Sequence, residues 1–176
     1  MNRTQCGREA LSSWLHAQPD SFYASSQVLR RLHEQGWSPQ ELAARLPALS
    51  EFGRVVAGEL DAQVAENNQS QNLPRLGGWD GIGRRSQPVQ HHPSWQKAGQ
   101  LIYGSGIMAA YGEAPQPHRH ILSLFYLSCH VGEGGHNCPL ACTAGAIRAL
   151  TALGTEDQKT RYLLPLLNRD FQENAT

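Results

Sequence analysis

The sequence predicts an all-α fold, a multi-helix bundle of six to eight helices. Three observations predict it. Leu49, Phe52, Val56, Leu60 and Val64 recur at spacings of three and four, which is one face of a helix. Helix-start signals recur at Ser38-Pro39-Gln40-Glu41 and Thr155-Glu156-Asp157-Gln158, where a hydroxyl caps the first turn and a Glu or Gln three residues on reaches back. No segment alternates apolar and polar residues convincingly enough to read as a strand.

Residues 8–17 read as a short helix with Leu11, Trp14 and Leu15 on one stripe. Residues 20–35 read as a second, with Phe22, Val28, Leu29 and Leu32 inward, ended by Gly36. Pro39 opens a turn or two that stops at Pro47, and a new helix runs from Ala48 to about Glu66. Residues 67–93 are polar and then turn-rich. They read as a long loop, functional or wrapped over a surface. Ser94 opens a helix carrying Trp95, Leu101, Ile102, Met108 and Tyr111. The helix from His118 to His130 is apolar almost all round, which places it centrally. Pro139 is expected at the first position of a small-residue helix that runs to Leu153 and closes at Gly154. The last helix carries Tyr162, Leu163, Leu166 and Leu167. The whole of 1–176 reads as a single helical domain: N-terminal helices (1–66), an extended loop (67–93) and core helices (94–170).

Composition narrows the function classes. The chain has 176 residues, and fifteen Lys+Arg balance fifteen Asp+Glu. That balance excludes a basic nucleic-acid footprint and a polybasic membrane anchor as the main reading. No apolar run approaches the roughly 20 residues of a membrane span, and no apolar stretch follows Met1 as a secretory signal would. Four cysteines, Cys6, Cys129, Cys138 and Cys142, are too sparse for a secreted disulfide scaffold and read as reduced thiols of a cytoplasmic protein.

Five constellations carry possible chemistry. Gly104-Ser105-Gly106-Ile107-Met108-Ala109 fits the G-x-G-x-x-A dinucleotide pattern, but lacks a preceding β-run and an acid about 20 residues on; close helix packing is the competing reading. Cys129, His130, His136, Cys138 and Cys142 carry the ligand types zinc prefers, in a spacing that matches no standard site. Buried structural thiols explain the same residues. Cys138 near a helix N-terminus suits a nucleophile, with His136 or His130 as base, or an inert thiol. Arg84, Arg85, His91 and His92 suit a phosphate or simple solvation. Glu133 suits a general base or an exposed turn.

Longer segments carry a resemblance. Gly135-His136-Asn137-Cys138-Pro139-Leu140-Ala141-Cys142-Thr143, with Leu153-Gly154-Thr155-Glu156-Asp157-Gln158-Lys159-Thr160-Arg161-Tyr162-Leu163, resembles the N-terminal helical domain of the acyl-CoA dehydrogenase superfamily. There a C-P-x-x-x-T helix precedes a G-T-x-x-Q-K-x-x-Y-L helix. Gly83-Arg84-Arg85 through Val89, His92-Pro93 and Trp95 resembles its AidB-like branch. The resemblance implies an FAD enzyme that oxidises an acyl-CoA at Cα–Cβ, with a glutamate base, a middle β-domain and a C-terminal four-helix bundle. The segment T-E-x-x-G-G-S-D that begins the flavin site is absent here. The implied reading is therefore an N-terminal portion, inactive alone and not expected to bind FAD by itself, in a family whose full-length members oligomerise. Its implied partners are the β-domain and bundle of the same flavoprotein, or a partner chain; neither nucleic acid nor membrane is implied. Carried over, Asn137, Cys138, Leu140, Ala141, Cys142 and Thr143 line one wall of the acyl pocket. A non-enzymatic helical interaction module and a Cys/His metal-binding regulator are the alternatives.

Overall fold

A computed structural model of the chain describes residues 3–85 and 88–171. Helices dominate it, as the periodicity predicts. They are α1 (Arg3–His16), α2 (Phe22–Ser25), α3 (Gln27–Gly36), α4 (Pro39–Val55), α5 (Asp61–Asn67), α6 (Pro93–Gly104), α7 (His118–Ser128), α8 (Gly134–Leu153), α9 (Glu156–Gln158) and α10 (Leu164–Leu166). No helix among the described residues is long and apolar enough to cross a membrane.

Pro47 does not end a helix. α4 runs through it, then through a π-helical turn (Val56–Leu60), directly into α5. Proline removes one N–H and leaves the carbonyl four residues back without its partner. Pro47 and Ala43 are both exposed, so the unpartnered carbonyl is on the solvent side of the helix. The stripe Leu49, Phe52, Val56, Leu60 and Val64 is fully buried, and its packing outweighs the lost bond.

The second expected helix is two. Ser26 closes α2 with its N–H and caps α3 with its hydroxyl, which accepts from Leu29 N at 3.3 Å. The inward face of α3 is also rotated from the expected one. Leu29 and His33 point inward, whereas Val28 and Leu32 face solvent. His33 sets that phase. The Ser123 hydroxyl donates to Arg119 O at 2.6 Å, so it accepts from His33 Nε2–H at 2.7 Å. His33 Nδ1 is left to accept the Tyr23 hydroxyl proton at 3.1 Å. Every polar atom of this buried triad is satisfied by a neutral imidazole, which Trp37 also covers at 4.1 Å.

The expected long loop holds a 3-10 turn (Ser70–Asn72) and a minimal antiparallel pair, β1 (Arg75–Leu76) with β2 (Val89–Gln90). Two-residue strands are too short to show alternation. α6 opens one residue before Ser94, at Pro93, with His92 as its cap, and it stops at Gly104. Met108 and Tyr111 belong to the turns that follow. α7 buries Ile121, Leu124 and Leu127 but leaves Leu122 and Tyr126 outside, so it is central on one side only. The core is the meeting of α4–α5, α6, α7 and α8 through Leu49, Leu60, Ile102, Leu124, Leu127 and Leu140.

Two outcomes follow. His33→Ala deletes a fully buried ring and strands the Tyr23 hydroxyl, so equilibrium denaturation should show a loss of about 3 kcal/mol. His120 is buried, with Nδ1 lacking a hydrogen-bond partner among the described residues, and burial pushes its pKa down to about 4. The unfolded chain binds that proton more readily, so stability falls as pH drops from about 6.5 towards 4, by up to about 3 kcal/mol. A pH series of urea melts checks this, and His120→Phe should flatten the acid limb.

Candidate functional site

α8 carries the residues of the sequence-derived acyl wall, and its start decides which of them face outward. The helix begins at Gly134, five residues before the expected start at Pro139, which lies inside it. The start signal is Glu133. Its two carboxylate oxygens accept from Gly135 N at 2.8 Å and His136 N at 2.6 Å. An anion there also complements the helix dipole. Glu133 is therefore a buried cap, neither free as a base nor an exposed turn. Glutamate is outside the usual N-cap set, which is why sequence signals missed it.

Three side chains then lock the phase of α8. His136 is buried, with Nε2 donating to Trp95 O at 2.9 Å. Its ring stacks on Trp95 at 4.6 Å and meets the edge of Phe171 at 5.1 Å. His91 also stacks on Trp95 at 4.0 Å. α6 reaches this stack only because Gly99 has no side chain: a Cβ there would sit 2.7 Å from both His136 and Phe171. Burial holds the His136 pKa below its ordinary value, so the ring stays neutral. On the next residue, Asn137 Nδ2 donates to Ser128 O at 3.2 Å, and the Ser128 hydroxyl donates to Asn137 Oδ1 at 2.7 Å. Leu140 enters the core.

The six residues thus divide. Asn137 and Leu140 face the domain interior, Thr143 is half-buried, and Cys138, Ala141 and Cys142 are exposed. Gly145, Ala146 and Ala149 continue the open side. At its far end Leu150, Leu153 and Tyr162 border a shallow apolar depression.

The other constellations resolve differently. Gly104 ends α6, and Gly106 adopts a left-handed φ of 86° in the turn beyond it. The G-x-G-x-x-A segment therefore lies at a helix C-terminus, where carbonyl dipoles repel a pyrophosphate. His136 is turned into its aromatic stack, and His130 stacks on Phe22 at 4.5 Å, so each ring has its own contacts rather than a pairing with Cys138. Burial pushes the Cys129 thiol up. No three His, Cys, Asp or Glu side chains gather to hold a metal among the described residues. Asp80 closes the hairpin end, accepting from Ile82 N at 3.0 Å and Arg84 N at 2.8 Å. His92 caps α6 through Ser94, and His91 belongs to the Trp95 stack, so both histidines have structural contacts of their own.

Known proteins supply the context for this arrangement. The model of the adaptive response protein AidB N-terminal domain matches residues 16–173. Among solved structures, Bd2924 in its apo form is similar at a TM-score of 0.76 and 24% identity, over 87% of this chain and 30% of that one. Caenorhabditis elegans ACDH-11, solved in complex with C11-CoA, is similar at a TM-score of 0.73 and 24% identity, over 84% of this chain and 26% of that one. This chain therefore spans less than a third of the length of either structure. No curated protein matches the sequence. The fold is that of the N-terminal helical domain of acyl-CoA dehydrogenases, and the chain belongs to the AidB N-terminal domain family.

Proposed function

We propose that this chain forms one wall of the acyl site of an FAD-dependent, acyl-CoA dehydrogenase-like oxidoreductase and has no oxidative activity alone. The observation that carries the reading is the division of α8. Its inner edge is locked by Glu133, His136 and Asn137, while Cys138, Ala141 and Cys142 are held outward on a rigid helix. Small outward side chains leave room for a thin aliphatic chain against the helix, and a locked helix presents them without further ordering cost. The C11-CoA with which ACDH-11 was solved supports the substrate class. Cys138, Ala141 and Cys142 touch the acyl chain; Asn137 and Leu140 act behind them as positioning residues, with Thr143 between. Oxidation of the Cα–Cβ bond, the glutamate base and the flavin belong to the β-domain and C-terminal bundle that accompany this domain in its family. A cytoplasmic location fits that metabolism.

A second reading, a non-enzymatic interaction module, draws on the hairpin, where Leu76, Trp79, Ile82 and Val89 are all exposed. In that reading the hairpin, not α8, is the working surface.

The purified chain should be colourless and should not oxidise acyl-CoA thioesters in a dye-reduction assay; bound yellow flavin or turnover contradicts the reading. In the assembled flavoprotein, Ala141→Trp should lower kcat/KM for long-chain acyl-CoA by about 10- to 100-fold. The same substitution on the isolated chain should change its stability by no more than about 0.5 kcal/mol, because the site is exposed. Unchanged kinetics would remove α8 from the acyl wall.

A further inference from the structure

Beyond α10 the described chain is seated by side chains rather than by a backbone ladder. The backbone donors there bond locally: Leu167 N to Leu164 O at 3.2 Å, Asn168 N to Pro165 O at 3.1 Å, and Asp170 N to Asn168 Oδ1 at 3.1 Å. What holds the segment is a glycine under every second residue, taken in reverse chain order. Leu167 lies over Gly112, where a Cβ would stand 3.3 Å from its side chain. The Arg169 guanidinium lies over Gly106, 2.9 Å from the position of a Cβ there. Phe171 lies over Gly99 at 2.7 Å on the same measure. Asn168 and Asp170, between these pegs, are exposed. Any side chain at Gly99 or Gly106 would push a peg out, so the G-x-G-x-x-A segment has a use in this fold: its second glycine is a socket for Arg169.

Phe171 is the peg that reaches α8. Its ring stacks on Tyr103 at 5.2 Å and meets Trp95 at 5.4 Å and His136 at 5.1 Å edge-on. Tyr103 also meets His136 edge-on at 6.2 Å. The ring thus fills the corner between α6 and the side chain that fixes the rotation of α8. Close-packed side chains keep their positions because every neighbour is in place, and an emptied corner forfeits those contacts. Without Phe171, His136 gains room to turn away from Trp95 O, and the first turns of α8 open more often.

We propose that Leu167–Phe171 is a strap that couples the path of the chain after α10 to the rotation of α8, with Phe171 as a positioning residue for the open side of that helix. The family match ends at residue 173, so the strap is the last stretch of the matched domain. Coupling of this kind is reciprocal: whatever lifts Phe171 loosens α8, and whatever steadies α8 seats Phe171. What the open side of α8 serves rests on the acyl-wall reading; the coupling itself does not.

Amide hydrogen exchange on the purified chain, read residue by residue by NMR, tests the strap. Phe171→Ala should speed exchange at Leu140, Ala141 and Cys142 at least about tenfold and leave Leu49 and Phe52 of α4 within about twofold. Phe171→Tyr keeps the ring and should exchange like the parent chain. Phe171→Leu keeps an apolar peg without a ring and should fall between; it carries the test if the alanine variant does not fold. Unchanged exchange in α8, or an equal rise in α8 and at Leu49 and Phe52, would overturn the proposal. In the assembled flavoprotein, Phe171→Ala should raise KM for a long-chain acyl-CoA at least about fivefold with kcat within about twofold, and Phe171→Tyr should restore it. Faster exchange in α8 with an unchanged KM would uphold the strap and count against the acyl wall instead.

Discussion

The sealing of His136 is the constraint on which the rest of this structure depends. The ring sits between Trp95 of α6 and Phe171 near the end of the described chain, and its Nε2 proton is committed to Trp95 O. That one placement joins α6 and α8 and fixes the rotation of α8. Rotation in turn decides which residues of a twenty-residue helix become core and which become surface. Shifting α8 by one residue would turn Cys138 or Ala141 inward and bring Asn137 away from Ser128. The small size of the open side and the tight aromatic seal of the closed side are therefore two consequences of one packing decision.

Much of the fold was legible because helices announce themselves by period and by cap. The boxes at Ser38–Glu41 and Thr155–Gln158 form as the sequence implies, with side chain and backbone bonded both ways. What could not be read was the phase and extent of helices decided by distant partners. The α3 face turns on a bond between His33 and Ser123, ninety residues apart. Pro47 looked like a stop, yet the buried stripe beyond it holds the helix together. Glu133 looked like loop because glutamate seldom caps, and the aromatic seal at His136 needs Phe171, which no local pattern connects to it. The resemblance singles out α8 and its six residues; their division into an inner and an outer edge depends on contacts with Trp95, Phe171 and Ser128 that no local pattern shows.

Among the described residues, exposed apolar side chains gather on the open side of α8, on the hairpin, and on α1 and the α3–α7 groove. Scattered single hydrophobes on a surface are ordinary, but contiguous ones at helical spacing mark contact faces. These places sit on different elements. A rigid wall of small side chains accommodates a slender ligand. Reduced thiols at Cys138 and Cys142, both exposed, lie on the first of these faces and report directly on what covers it.

The most direct measurement is therefore the alkylation rate of those two thiols in the assembled flavoprotein, read residue by residue by mass spectrometry with and without a long-chain acyl-CoA. If α8 is the acyl wall, ligand should slow modification of Cys138 and Cys142 at least about tenfold while Cys6 reacts unchanged. Equal rates at Cys138 and Cys142 with and without ligand would contradict that assignment.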